Sequence, residues 1–175
     1  MKKFDNYESV EANEGGEYKR LPAGGYVCRI ENVLDHNDKE YLEIEYDIMD
    51  GEFCGWFGSL FSRAGFWGGK LIRSYKDTAQ KFFKGFITAV EQSNQGSRWD
   101  WNENHLKDRL VGLVLAEEEY NKNDGSVGVR LYVARNTSVE NIRKGNYEVP
   151  TIRKLKYEMA PAAPKSDKPD EDLPF

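Results

Sequence analysis

The clearest pattern in the chain is the alternation of apolar and polar residues in YLEIEYDIMD. A period of two is typical of a strand with one buried face, and we predict it to be the second strand of a sheet. Its apolar positions are Leu42, Ile44, Tyr46 and Ile48, and its polar positions are Glu43, Glu45 and Asp47.

Four further segments are rich in β-branched and aromatic residues and are predicted to be strands: GGYVCRIENVL, FCGWFGSLF, LVGLVLAEEEY and SVGVRLYVARN. The period changes in DTAQKFFKGFITAVEQSN, which predicts a helix capped by Asp77 and ending near Asn94. We expect Phe82, Phe83 and Phe86 to lie on its core-facing side. A shorter helical turn is predicted in TSVENIRKGNYEVP.

Five strands with a helix between the third and the fourth is the element order of an OB-fold barrel. We therefore predict a mainly β protein with an OB-fold-like barrel, although other small α+β sheets use the same elements. Residues 1–20 are predicted to be a polar arm, 21–158 an OB-like nucleic-acid-binding domain, and 159–175 a disordered linker and acidic tip. Four of the six prolines fall in the last fifteen residues, which favours the disordered linker.

Catalytic and metal-binding motifs are not apparent in the sequence. GFWGGKL lacks both ends of the phosphate-loop pattern, and two histidines offer little for general base catalysis. Cys28 and Cys54 lack metal-ligand spacing, and we expect both to be thiols packed in strands. We expect no enzyme, no cofactor and no metal.

The sequence contains neither a long apolar run nor a secretion signal. We therefore expect a cytoplasmic location without membrane insertion. If a phage encodes the protein, that location is the host cytoplasm.

The charge is distributed unevenly. The net charge of −5 opposes nucleic-acid binding at first sight. However, residues 62–84 hold six basic residues against one acid, and residues 130–156 hold seven against two. Such segregation can build a positive groove on an acidic protein.

Aromatic residues are interspersed within both basic stretches, which is the mixture that single-stranded nucleic acid requires, since rings stack on bases and cations meet phosphates. The polar face of the second strand is acidic, which disfavours DNA binding there. DNA is therefore expected to cross the third strand, the connection after it and the fifth strand. Trp67, Trp99 and Trp101 suit stacking and plain packing equally. The candidate DNA-binding residues are Arg63, Phe66, Trp67, Lys70, Arg73, Tyr75, Lys76, Arg130, Tyr132, Arg135, Arg143 and Lys144.

The last six residues of the sequence are three acids followed by a leucine, a proline and a phenylalanine: Asp170, Glu171, Asp172, Leu173, Pro174 and Phe175. With the predicted barrel, this ending resembles that of bacterial single-stranded DNA-binding proteins. The segments KGFITAVEQSN, EEEYNKNDG and NYEVP are similar to those of phage-borne proteins from Gram-positive hosts. The resemblance implies single-strand protection in phage DNA replication and recombination. It also implies a tip that docks replication, recombination or repair enzymes and competes with DNA for the basic groove.

Other interpretations remain open. The protein could be an adaptor that engages replication enzymes through its tail without binding DNA, and a chance acidic tail would serve only solubility. A nuclease that uses acid clusters such as Glu117, Glu118 and Glu119 ranks third. The sequence leaves the oligomeric state open, including a homo-oligomer.

Overall fold

A five-stranded antiparallel sheet forms the body of the protein in the computed structural model, which describes residues 19–156. The strands follow the order β3-β2-β1-β4-β5 across the sheet. They are β1 (Gly24–His36), β2 (Tyr41–Ile48), β3 (Lys70–Ser74), β4 (Leu110–Asn121) and β5 (Val127–Thr137). The prediction of a mainly β protein is confirmed. The linker and tip predicted for 159–175, and residues 1–18 of the predicted arm, lie outside the described residues.

Within residues 19–156, three α-helices and two short 3-10 turns accompany the strands. The helices are α1 (Trp56–Ala64), α2 (Gln80–Ser93) and α3 (Val139–Arg143), and the 3-10 turns span Asp77–Ala79 and Glu103–Leu106. The predicted helix is confirmed as α2 together with the turn before it, but the predicted cap is wrong. Asp77 is itself the first residue of the turn, and its carboxylate accepts the side-chain amide of Gln80 at 3.0 Å instead of a backbone N–H. Asn94 caps its C-terminal end, where its side-chain amide donates to the carbonyl of Val90. The helical turn predicted near residue 140 is α3.

The core lies between one face of the sheet and α2. The alternation predicted in β2 is confirmed, because Leu42, Ile44, Tyr46 and Ile48 are all buried. Phe83 and Phe86 of α2 pack against this face as expected, but Phe82 is 64% exposed. The prediction for Phe82 is wrong because successive helical residues are rotated by about 100°, which places it beside the buried stripe.

The third strand was predicted in the wrong place. Residues 53–61 form a turn and most of α1, and the third strand is β3, farther along the chain. Gly55 and Gly65 flank α1 in the left-handed region, with φ of 71° and 75°. Glycine adopts that conformation without steric penalty, and it is common just after a helix end. Cys54 therefore lies in a turn and is exposed, contrary to expectation, whereas Cys28 is buried in β1 as expected.

Asp47 supplies the cap that α1 lacks locally. Its carboxylate is buried and accepts N–H bonds from Ile48, Phe57 and Gly58 at 2.8, 2.9 and 3.0 Å. The last two donors belong to the first turn of α1, whose N–H groups have no partner inside the helix. A residue that alternation assigned to the polar face of β2 thus holds the helix onto the sheet.

The sheet is open between its outer strands. Among the described residues, β3 pairs only with β2 and β5 pairs only with β4. One side-chain bond spans the gap, from the guanidinium of Arg73 on β3 to Oδ1 of Asn136 on β5, at 3.2 Å. On the side of β4 that faces β1, the residues after Leu115 have no partner in β1 and pair with a later segment of the chain. There the backbone of Arg153 exchanges hydrogen bonds of 2.9 Å with Glu117 and Glu119.

We predict that replacing Asp47 with Ala or Asn destabilises the fold. Either change leaves N–H groups of α1 without their charged acceptor, so we expect a loss of about 2–3 kcal/mol in the free energy of unfolding. Urea denaturation followed by circular dichroism measures it. The matched control is Asp50→Ala, which breaks an exposed ion pair with Arg143 and should cost less than about 1 kcal/mol. Equal losses for Asp47 and Asp50 variants would contradict the role of the cap.

Candidate nucleic-acid interface

A cleft runs along the gap between β3 and β5. Its first part is closed on one side by α1 and includes Lys19, Arg20, Trp56, Leu60, Arg63, Lys70, Leu131 and Tyr132. Its second part includes Glu43, Lys70, Ile72, Arg73, Glu118, Arg130, Leu131 and Tyr132. Because Lys70, Leu131 and Tyr132 line both parts, we treat them as one feature and call it the β3–β5 cleft.

The wall formed by α1 depends on a close approach at Gly69. The carbonyl of Gly69 accepts the N–H of Tyr46 at 2.8 Å. A Cβ at position 69 would lie 2.2 Å from the Tyr46 carbonyl oxygen and 2.8 Å from the ring of Phe57. Only glycine fits there, and its presence lets the chain pass directly from α1 into β3. That passage places Arg63 and Lys70 on the same cleft.

Lys70 lies in the cleft between two carboxylates. Its ammonium group is 2.9 Å from Glu43 and 3.1 Å from Glu45, which face it from β2. The hydrogen bond with Lys70 lowers the pKa of Glu43, and the bonds with both glutamates raise the pKa of Lys70. The acidic face of β2 therefore anchors a cation of β3.

Two arginines share Glu118 at the β5 side of the cleft. Arg130 donates to Oε1 of Glu118 at 2.9 Å, and Arg153 donates to Oε2 at 3.4 Å. Arg153 also lies 4.4 Å above the ring of Tyr132, and Arg130 lies 5.3 Å from that of Tyr120. The result is a cation–π layer over β4 and β5 in which one carboxylate orients two guanidinium groups.

Arg73 is the most enclosed cation of the cleft. Its guanidinium lies 5.5 Å from the ring of Phe86 and donates to the Ile72 carbonyl and to Asn136. Its Nε is buried without a hydrogen-bond partner, and no carboxylate among residues 19–156 forms an ion pair with it. Burial lowers the pKa of Arg73. The Arg73 side chain therefore links β3 to β5 and offers little of its charge to solvent.

The aromatic candidates differ in their accessibility. Phe66 is 58% exposed in the loop between α1 and β3. Trp67 is half-buried against the core, and its indole N–H donates to the Gly69 carbonyl at 3.1 Å. Tyr75 packs edge-on against Phe83, and its hydroxyl donates to Asp35 at 2.8 Å. Of these three rings, Phe66 is the one with most of its surface free for a base.

The structure brings together some of the candidates and separates others. The lining of the β3–β5 cleft includes Arg63, Lys70, Arg73, Arg130 and Tyr132. It does not include Phe66, Trp67, Tyr75, Lys76, Arg135, Arg143 or Lys144. Arg143 and Lys144 lie at the end of α3 and are paired with Asp50 and Glu140. The tip residues Asp170–Phe175 lie outside the described residues.

Sequence reasoning missed several lining residues. Lys19 and Arg20 precede Leu21, the first buried residue described, and the adjacent pair of cations was the available signal. Trp56 was overlooked because its segment was assigned to a strand. Arg153 is not among the lining residues; its position beside Glu118 depends on its backbone pairing with β4, which no local pattern indicates.

The chain matches no protein-family model and no curated protein sequence. Within residues 19–156, no cluster of His, Cys, Asp and Glu side chains is arranged to hold a metal ion. No helix in that part of the chain has the length and apolar character needed to cross a membrane.

We predict that Tyr75 stays un-ionised well into the alkaline range. Burial of the ring and the bond to Asp35 raise its pKa to about 12. Because this exceeds the unfolded value of about 10, the stabilisation is complete below pH 10 and is lost as the pH rises toward 12. The Tyr75→Phe variant should lose less stability over that interval in urea denaturation. An unchanged decline would mean that the ring is solvated and accessible for stacking.

Proposed function

We propose that the protein binds single-stranded DNA without sequence preference in the β3–β5 cleft and protects it during phage replication and recombination. The observation that carries this proposal is the charge of the cleft in an acidic protein. Its lining holds six cations, contributed by distant segments of the chain, against two carboxylates: Lys19, Arg20, Arg63, Lys70, Arg73 and Arg130 against Glu43 and Glu118.

In this mechanism the accessible cations meet phosphates. Lys70 and Arg130 are exposed although paired, so a phosphate can share each cation with its glutamate. Binding then releases counterions from the strand, and affinity falls as salt rises. The glutamates limit the charge of the empty cleft and hold each cation in position.

Rings at the cleft supply contacts to bases. Trp56 and Tyr132 line the cleft and are half-buried, and the exposed Phe66 lies in the loop that leads into β3. Stacking on such rings is worth about 1–3 kcal/mol per base and tolerates every base, because each has a π-face. The cleft therefore suits splayed single strands.

We further propose that the sheet is an OB-like barrel whose seam is the β3–β5 gap. The strand order and the position of α2 between β3 and β4 support this, as does the Arg73–Asn136 bond across the gap. OB-folds are partly open five-stranded barrels, and an unpaired seam is compatible with one.

The experiment is a fluorescence-anisotropy titration of a labelled oligothymidine at several salt concentrations. The full chain should bind with an affinity that falls log-linearly with salt. The double variant Lys70→Ala/Arg130→Ala should bind several-fold more weakly and reduce the salt slope by about 1.4, since each lost phosphate contact accounts for about 0.7. It also uncovers their partner glutamates, which adds repulsion.

The matched control is Arg143→Ala/Lys144→Ala, which removes the same charge from α3, outside the cleft. Its affinity should stay close to that of the unmodified protein. Equal weakening by both double variants would favour a diffuse charge effect over a cleft. A chain that binds no oligothymidine at low salt would refute the proposal and leave the adaptor function, in which the acidic tip engages replication enzymes.

We also propose, from the sequence alone, that Asp170–Phe175 docks a replication or recombination enzyme. A short apolar anchor beside carboxylates suits a small pocket with a basic rim. Deleting these six residues should leave oligothymidine binding unchanged or slightly tighter, since acids are removed, and anisotropy measures it. A scrambled tip of the same composition is the control for charge. A clear loss of DNA affinity on deletion would contradict a tip that serves proteins.

A further inference from the structure

A second cleft of different character begins where β3 ends. Four rings line it, those of Tyr75, Phe83, Trp99 and Trp101, together with the carboxylates Asp35 and Glu103. We call it the aromatic cleft. Its volume is about 140 Å³, well below the roughly 300 Å³ at which sites for whole small molecules begin. It has room for one side chain.

The four rings form a continuous row. Tyr75 lies 5.9 Å from Phe83, Phe83 lies 6.0 Å from Trp99, and Trp99 lies 6.1 Å from Trp101, measured between ring centroids. The row runs from the buried Phe83 to Trp101, which is 81% exposed. Trp101 therefore leaves a large aromatic face accessible at the outer end of the row, and tryptophan is enriched at protein interfaces.

The backbone holds Trp101 in an unfavourable conformation. Its φ is 66°, in the left-handed region that bulky residues rarely adopt. The turn is fixed by Asp100, whose carboxylate lies 2.7 Å from Nδ1 of His105 and accepts the N–H of Asn102 at 3.3 Å. Such outliers persist where the surrounding structure enforces them, and they cluster at binding sites. The turn therefore presents the indole at the mouth of the cleft.

The electrostatics of the aromatic cleft oppose those of the β3–β5 cleft. Asp35 accepts the hydroxyl of Tyr75, and Asp38 and Glu40 contribute negative potential at the same ring. Among the described residues, no lysine or arginine pairs with Asp35 or Glu103, and none lies over Tyr75, Trp99 or Trp101. The exposed Lys76 is the nearest cation in sequence. Negative potential of this kind repels phosphates.

We propose that the aromatic cleft captures one cationic side chain, an arginine or a lysine, from a partner protein. A cation over the face of tryptophan or tyrosine is attracted by the ring quadrupole, and two carboxylates at the rim add charge complementarity. Arginine suits the site best, because its planar guanidinium stacks on an indole while its N–H groups reach a carboxylate. The site is independent of DNA binding in the β3–β5 cleft.

The test compares two peptides that differ in charge alone. The full chain, labelled with nitrogen-15, is titrated with acetyl-Gly-Arg-Gly-amide and with the same peptide carrying citrulline, which is neutral and of the same shape. The indole N–H signals of Trp99 and Trp101 are followed by NMR. We expect saturable shifts with the arginine peptide and roughly tenfold weaker binding of the citrulline peptide.

Variants locate the site. Trp101→Ala should weaken binding of the arginine peptide roughly three- to tenfold, and Asp35→Asn/Glu103→Gln should do the same. Phe82→Ala is the control, because it removes an exposed ring outside the cleft and should leave binding unchanged.

Two results would overturn the inference. One is equal shifts, or none, with the arginine and citrulline peptides on the unmodified chain, a comparison that does not depend on any variant folding. The other is a shift of these indole signals with oligothymidine, absent with the arginine peptide and lost in Trp101→Ala. That result would mean that the rings bind bases.

Discussion

The carboxylate of Asp47 accepts three backbone N–H bonds, and two of them come from the first turn of α1. Without it, a helix flanked by glycines would have no capping side chain at its N-terminus. These bonds hold α1 against β2. The close approach at Gly69 then lets the chain continue directly from α1 into β3. The wall of the β3–β5 cleft that α1 and β3 form follows from this arrangement.

The hydrophobic periodicity of the sequence correctly predicted the elements whose formation depends on their own residues. The alternation in β2 and the apolar stripe of α2 both depend on one buried face, and the structure contains them. The segment around Trp56 misled the same reasoning, because its aromatic residues favour a strand while its helix depends on Asp47, about ten residues upstream. A cap contributed by another element leaves no local signal, although Gly65 was a recognisable helix stop.

The sequence predicted which types of residue line the candidate site, but it predicted less well which of them lie together. Basic stretches pointed to Lys70 and Arg130, and both line the cleft. Sequence could not show that Arg73 would be half-buried against Phe86, or that Arg143 and Lys144 would lie on α3, outside the cleft. Those outcomes depend on which strands become neighbours. Trp101 was ambiguous for the same reason, since its exposure results from the turn at Asp100.

The bond between Arg73 and Asn136 joins residues 63 positions apart, whereas β1 and β2 are joined by a turn of four residues. By loop-closure entropy, holding the distant pair together costs about 2 kcal/mol more than closing the turn. A partly buried hydrogen bond from a charged donor returns about 1.5–3 kcal/mol, which roughly cancels that cost. Packing of the aliphatic part of the Arg73 side chain and the contact of its guanidinium with Phe86 must therefore supply the net stability of the seam, because chain connectivity works against it.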